Sequence, residues 1–169
     1  MSGEKWDTSH LTTGERSVLR RCAGEMMGQD MRAIEAFYKA VGYRRNWNEK
    51  ACFAALCMEC LWRDEEEIRI RPMEEILRDM YQSKDATESL KTHLVSYLDA
   101  PWSEDGFLLS KLCRIVRMLY SANHQVRPDF QKLADDLTHW NDADRHVQRR
   151  WIRTICRAIE TENKKTEDE

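Results

Sequence analysis

Three cysteines in one helical stretch have the spacing that is simplest to connect with chemistry. Cys57 and Cys60 stand three residues apart and Cys52 lies just before them, as in some zinc sites. A structural zinc site needs four ligands and usually draws on a second closely spaced pair, which this sequence lacks. Free Cys also packs as a small hydrophobe in apolar helices. We therefore expect buried thiols, and a metal protein or small enzyme built on these cysteines remains the less favoured alternative.

No other pattern indicates catalysis. The five histidines show neither the HExxH spacing nor any other helical metal pair, and the sequence has no GxSxG, Walker or GxGxxG motif. The carboxylates stand in charged runs on predicted helix surfaces. The sequence therefore predicts a protein that is not an enzyme and that has no catalytic residues, no metal site and no cofactor.

Basic residues form the strongest functional signal. The net charge of -3 is unevenly distributed: residues 1–110 carry 15 basic and 20 acidic groups, residues 111–157 carry 10 and 5, and residues 158–169 carry 2 and 5. A local basic face attracts a polyanion even when the whole chain is slightly negative. Residues 111–157 are therefore the predicted binding region.

The last predicted helix separates an arginine row from an apolar row. Arg145, Arg149, Arg153 and Arg157 recur every four residues, as do Val147, Trp151, Ile155 and Ile159 on another side. Like charges at this interval repel one another, so acidic neighbours or a polyanion must offset them. Phosphates would be contacted without sequence readout. The alternative is salt pairing with four nearby aspartates, Asp135, Asp136, Asp142 and Asp144.

The elements that carry these residues are predicted to be helices, in an all-α, compact bundle of about six to eight. Thr12-x-x-Glu15 is a capping box that opens the first helix, which we expect to end at Gly28. A second helix precedes Gly42 and a well-buried third begins near Asn48. We interpret residues 64–67 as an acidic linker before a short helix at Pro72.

Four more helices are predicted in the second half of the chain. They lie at about 85–99, at 104–121, after Pro128, and after a corner at Asn141 and Asp142. Their apolar residues recur with helical period. The predicted inward residues are Leu90, Leu94, Val95 and Leu98, then Leu108, Leu112, Ile115, Val116 and Leu119, then Phe130, Leu133, Ala134, Leu137 and Trp140. Trp140 and Trp151 should therefore be core, whereas Trp47 and Trp102 near loops are freer to contact a partner.

We expect an N-terminal helical subdomain at 1–100, a C-terminal one at 101–160 and a disordered acidic tail at 161–169, within what is best regarded as one domain. No run approaches the roughly 18 apolar residues of a membrane span, and the first residues lack an apolar signal region. We therefore expect a cytoplasmic protein without membrane contact.

Four spaced motifs follow one another along the chain. They are GERSVLRR at 14–21, AFY at 36–38 with Val41, DFQKLADDLTHW at 129–140 and RHVQRRW at 145–151. Together they resemble segments of the CasB small subunits of the type I-E CRISPR Cascade complex, and DFQKLADDLTHW is the strongest of them. The resemblance covers about 12–157, although LSKLCR at 109–114 departs from the leucine-arginine helix that the family often shows.

The resemblance implies an all-α, non-catalytic subunit of an antiviral ribonucleoprotein. Two copies would lie beside the crRNA-bearing backbone subunits and the large subunit, where they help to hold target DNA and the displaced strand open as an R-loop. Protein contacts suffice to favour this nearly balanced strand exchange. The basic residues that we expect to contribute to DNA and RNA binding are Arg16, Arg20, Arg21, Lys111, Arg114, Arg117, Arg145, Arg149, Arg150, Arg153 and Arg157. The main alternative is a helical scaffold whose arginines meet only protein.

Overall fold

The helices are set by local capping and by apolar periodicity. The structure is a computed structural model that describes residues 5–28, 30–43, 47–63, 67–83 and 88–157. The helices within these ranges are α1 (Thr13–Arg21), α2 (Met31–Val41), α3 (Glu49–Glu59), α4 (Met73–Gln82), α5 (Glu88–Asp99), α6 (Phe107–Ala122), α7 (Phe130–Thr138) and α8 (His146–Cys156). The prediction of an all-α fold is confirmed.

Side-chain caps start four of these helices. The hydroxyl of Thr12 accepts a hydrogen bond from the Glu15 amide, as the capping box predicts. Asp30, Asn48 and Asp129 cap α2, α3 and α7 in the same way. Each cap satisfies an amide that the first helical turn leaves without a partner.

The predicted end of the first helix was wrong. α1 ends at Arg21 rather than at Gly28, because the chain turns at Gly24, whose φ of +88° lies in the left-handed region. A Cβ atom there would stand 3.1 Å from both Cβ and Sγ of Cys113. The glycine therefore lets the turn after α1 approach α6 closely.

The corner before α8 was also predicted wrongly. α7 ends at Thr138 and α8 begins at His146, so Asn141 and Asp142 lie in the connection. The Asn141 side chain bonds to the Trp102 backbone instead, accepting from its amide at 2.9 Å and donating to its carbonyl at 2.7 Å. Arg145 precedes α8 with a φ of +53°.

One core joins both halves of the chain. α3 packs against α1, α6 and α7, and α4 packs against α8, while α5 contacts α6 and α8. Nearly every residue of α3 from Ala51 to Glu59 is buried, as predicted, although Cys52 is half-buried. These contacts cross the predicted boundary near residue 100; the division into two subdomains stays a prediction.

The structure contains a short parallel strand pair that the sequence analysis missed. β1 (Arg69–Arg71) pairs with β2 (Val126–Pro128), and β2 leads directly into α7. Three-residue strands present no alternating pattern long enough to recognise. The pair ties the segment before α4 to the segment before α7. It begins two residues after the predicted acidic linker, and residues 64–66 of that linker lie outside the described residues.

The inward faces of the later helices are largely as predicted. Every predicted core residue of α6 and α7 is buried, and Trp140 and Trp151 are 1% and 0% exposed. Val95 is an exception because it is 55% exposed on α5. Tyr38, although its spacing from Ile34 and Val41 would place it on the apolar side of α2, is exposed and donates a hydrogen bond to Glu49 at 3.0 Å. Ile159 and the predicted acidic tail lie outside the described residues.

Candidate nucleic-acid interface

The outer face of α6 carries two exposed arginines, Arg114 and Arg117. Both line a shallow depression with the turn at residues 23–25 and with Ser110. Leu112, Ile115 and Val116 bury the opposite side of the helix, so the arginines are held on a fixed scaffold. In the part of the chain that the structure describes, neither arginine forms a salt bridge.

Lys111 lies on the same helix but is partly covered by aromatic rings. Its ammonium nitrogen lies 5.5 Å from the centre of the Tyr97 ring and 5.3 Å from that of Phe107. Such cation–π contacts hold the charge close to the surface of α5 and α6 without neutralising it.

The exposed face of α8 carries Arg149 and Arg153, and Arg157 follows directly at the end of the helix. All three side chains are exposed, and α8 is fixed from the other side by Val147, Trp151 and Ile155. Among the described residues, no carboxylate lies within salt-bridge distance of any of the three. The self-repulsion of this row is therefore not offset by a salt bridge within the described part of the chain.

Arg145, the first member of the predicted row, is engaged inside the protein. Its guanidinium contacts the Asp99 carboxylate at 2.7 Å and also donates to the backbone carbonyls of Leu98 and Asp99. These bonds join the start of α8 to the end of α5. Arg145 is therefore less available to a partner than the arginines that follow it.

Arg150 is a structural residue of a buried charge network. It pairs with Asp136 and lies 3.5 Å from Glu74, and Glu74 also pairs with Lys132. Glu74 and Asp136 are 3% and 5% exposed. Burial raises the pKa of Asp136, and the hydrogen bonds from Arg150 and Trp151 oppose that rise. The network links α4, α7 and α8, and removing one buried charge would leave the others uncompensated.

The arginines of α1 divide in the same manner. Arg16 donates to the Thr8 carbonyl at 2.8 Å, and Arg20 donates to the Cys60 carbonyl at 3.0 Å. Arg21 is exposed in the last turn of α1, just before the turn that borders Arg114 and Arg117. The eleven predicted residues are thus sorted into an exposed set and an internally bonded set. The exposed set is Arg21, Arg114, Arg117, Arg149, Arg153 and Arg157.

The comparison with known families identifies the chain from its sequence. No curated protein and no solved structure matches it. The family described as CRISPR-associated protein Cse2 matches residues 15–154.

The chain belongs to the Cse2 family.

Membership confirms the resemblance to CasB and makes the chain a small subunit of the type I-E CRISPR Cascade complex. Cse2 proteins are structural Cascade subunits and do not form a known enzyme family. The matched range contains every predicted basic residue except Arg157. No helix in the described ranges is long and apolar enough to cross a membrane.

Two of the three cysteines predicted to be buried thiols, Cys57 and Cys60, are buried, whereas Cys52 is half-buried. Cys57 and Cys60 lie in the core with Cys22 and Cys113. Burial raises the pKa of Cys57, and it raises the pKa of Cys60 to about 12. Thiols in such surroundings stay protonated at neutral pH in the metal-free protein and are not ready nucleophiles.

A histidine and carboxylate cluster at the α7–α8 corner was not anticipated. His146 Nδ1 lies 2.8 Å from Asp144 and 3.8 Å from Asp142, and His139 Nδ1 lies 3.2 Å from Asp142. The signal available was the spacing H-x-x-D-x-D-x-H at 139–146. All four side chains are exposed and pair with one another, which accounts for their arrangement.

Proposed function

We propose that this Cse2 subunit stabilises the R-loop of Cascade through contacts between exposed arginines and the phosphate backbone. The observation that supports the proposal most directly is the set of exposed arginines on α6 and α8 for which the described structure provides no carboxylate partner. Phosphates would offset the repulsion within each row, and they require no base readout.

The contacts expected to contribute most are Arg114 and Arg117 on α6 and Arg153 and Arg157 on α8. Each pair projects from a helix whose other side is packed into the core, so binding would order little additional chain. Exchange of a DNA duplex for an RNA–DNA hybrid is nearly balanced. A few weak phosphate contacts to the target or displaced strand would therefore shift it.

The proposal places the subunit in the cytoplasm, next to the crRNA-bearing backbone subunits, the large subunit and a second copy of itself. Its partners then include target DNA, the displaced strand and crRNA. The helices supply positioned charge, and the proposed role has no chemical step.

The test uses Cascade reconstituted with its crRNA and a matching DNA target. We expect R114Q/R117Q and R153Q/R157Q each to weaken target binding and to reduce the permanganate reactivity of thymines in the displaced strand. Each single-strand phosphate contact removed should lower the slope of log K against log salt by about 0.7, so a double variant should lower it by about 1.4 per copy.

The matched control is R32Q/R69Q, which removes two exposed arginines outside both faces. Gln is preferred to Glu because it removes charge without adding repulsion. An unchanged salt slope and an unchanged R-loop in both test variants would contradict the proposal.

The second candidate is a scaffold whose arginines contact only acidic surfaces of other subunits. The pairing of Arg145 with Asp99 and of Arg150 with Asp136 favours it, because an arginine directly before α8 and one within it already pair with carboxylates. In that case the test variants would lower the amount of subunit retained in Cascade before DNA is added, and subunit that is retained would bind DNA with the ordinary slope.

A further inference from the structure

A groove of about 750 Å³ runs between α5 and α8. α5 contributes Thr92, Val95 and Ser96 to one wall, and α8 contributes Arg149 and Ile152 to the other. The two helices are joined at one end by the bonds from Arg145 to Leu98 and Asp99. The groove is therefore part of the fixed helical framework.

Two aliphatic side chains are left uncovered on opposite walls. Val95 is 55% exposed and Ile152 is 38% exposed. Val95 lies one residue after the buried Leu94, and Ile152 follows the buried Trp151, so both helices turn an apolar residue outward where a surface helix normally carries a polar one. Paired exposed apolar residues in a concave site indicate a contact surface.

The charges on the rim favour an acidic partner at one position. Arg145 is neutralised by Asp99, and Asp144 bonds to His146 at 2.8 Å. Arg149 is the charged residue of this groove for which the described ranges contain no salt-bridge partner. An incoming carboxylate would find its complement at Arg149.

The lining does not suit a nucleic-acid strand. Sites for single strands combine cationic grooves with aromatic rings on which bases stack, whereas none of the residues that line this groove is aromatic. The aliphatic walls would remain uncovered beneath a phosphate backbone.

We infer that this groove docks an amphipathic segment of a neighbouring Cascade subunit, with aliphatic side chains against Val95 and Ile152 and a carboxylate against Arg149. Helix-in-groove recognition uses apolar anchors three or four residues apart. α8 has 11 residues, a length of roughly 16 Å, which accommodates two to three turns of a partner helix.

The inference goes beyond the proposed phosphate contacts and does not depend on them. It divides the arginine row of α8 between two kinds of partner. Arg149 contacts protein, whereas Arg153 and Arg157 stay available to nucleic acid. The division also gives a reason for Ile152, which stands inside the basic face and has no use in phosphate binding.

The first experiment measures retention of the V95S/I152S variant in reconstituted Cascade without DNA. Truncating an interface residue that contributes appreciably to binding costs more than about 1 kcal/mol, a factor of about five in affinity. We expect at least a fivefold loss of retained subunit at limiting concentration, and the R149E variant should show a similar loss. The matched control is I70S, since Ile70 is also 55% exposed but lies on β1 outside the groove.

Unchanged retention of V95S/I152S would overturn the inference. Retention that stays normal while target binding falls would also overturn it, because the groove would then serve nucleic acid. These outcomes differ from failure of the proposed function, which is measured through R114Q/R117Q and R153Q/R157Q. Circular dichroism and melting of each isolated variant show whether it is folded.

A photocrosslinking residue at position 95 gives an independent measurement in the assembled complex. We expect a cross-link to one Cascade protein, at a peptide that alternates aliphatic and acidic residues with helical spacing. A cross-link to crRNA or DNA alone, or no cross-link to protein, would contradict the inference.

Discussion

At the scale of single residues, charge in this protein has two opposite uses. The exposed arginines of α6 and α8 form no ion pair with any residue that the structure describes. Glu59, Glu74 and Asp136, in contrast, are buried carboxylates that lie beside cationic side chains. Composition alone does not separate these uses. Arg149 and Arg150 are adjacent in sequence, yet one is exposed and the other binds Asp136.

Glu59 allows this burial to be tested through pH. Its carboxylate accepts a hydrogen bond from Trp6 Nε1 at 3.1 Å and lies 3.8 Å from Arg127. Burial nevertheless raises the pKa of Glu59 above its ordinary value of 4.5. Folded protein then binds more protons than unfolded protein between the two pKa values, so stability falls as pH rises through that window.

We expect the E59Q variant to lose this part of the pH dependence. The amide can still accept the Trp6 hydrogen bond and carries no charge at any pH. Its free energy of unfolding should therefore rise relative to the natural protein as pH increases from 4 to 7.5, as measured by urea unfolding.

The control is E104Q. The hydrogen bond from Lys50 lowers the pKa of Glu104 on the surface, so the relative change in this variant should have the opposite sign and be small. The difference in free energy of unfolding between E59Q and the natural protein could instead be the same at pH 4 and at pH 7.5. That result would argue against a pKa of Glu59 raised by burial.

At the scale of elements, the inward faces of α6 and α7 were predictable because their apolar residues recur with helical period. The connections were not. The corner before α8 depends on Asn141 bonding to the backbone of Trp102, and the β1–β2 pair joins residues more than fifty positions apart. Arg150 was counted from the sequence among the basic residues that bind nucleic acid. Its partner Glu74 comes from α4, which is distant along the chain, so the sequence did not predict the contact. Local sequence patterns contain no signal for such contacts.

The same distinction applies to the candidate site. The sequence located the basic region and its helices, but it did not separate exposed arginines from bonded ones. Arg16 and Arg20 bond to backbone carbonyls of Thr8 and Cys60, which requires knowledge of where those carbonyls lie. Ile152 was not noticed because an isolated apolar residue on a basic face has no meaning until Val95 is found across the groove.

The junction of α1 and α6 provides a test at the element scale. Gly24 and Gly42 both have positive φ, at +88° and +69°. A Cβ at Gly24 would meet Cys113 at 3.1 Å, whereas one at Gly42 would meet nothing within 4 Å. Gly42 has a ψ of 179°, a region that is essentially limited to glycine, so we expect G42A to cost about 1–3 kcal/mol from backbone conformation alone. We expect G24A to cost backbone strain and, in addition, the packing that is lost when the turn after α1 moves away from α6.

Urea unfolding at constant pH measures both variants. G24A/C113A should recover only part of the packing loss, because the Sγ atom is removed while the Cβ atom of residue 113, also 3.1 Å away, stays. The backbone part of the loss should remain. If G24A destabilised the C113A variant as much as it destabilises the natural protein, the approach of the turn to Cys113 would contribute nothing.

At the scale of the whole molecule, the chain is joined by contacts between its two halves. α3 packs on α7 and α4 packs on α8, and β1 lies beside β2. The buried network of Glu74, Asp136 and Arg150 also crosses the predicted boundary near residue 100. Neither half alone would cover the apolar surface of α3 or satisfy these charges.

We therefore expect the full chain to unfold in a single cooperative transition. Helix content from circular dichroism at 222 nm and tryptophan fluorescence should give the same urea midpoint, since Trp6 and Trp62 precede the boundary while Trp140 and Trp151 follow it. The separate fragments 1–100 and 101–169 should lack cooperative transitions. In the first fragment α3 and α4 lose the surfaces of α7 and α8, and in the second fragment α7 and α8 lose those of α3 and α4. Two separated midpoints in the full chain, with a folded 101–169 fragment, would instead indicate that the C-terminal helices form an independent subdomain that presents the α8 arginines by itself.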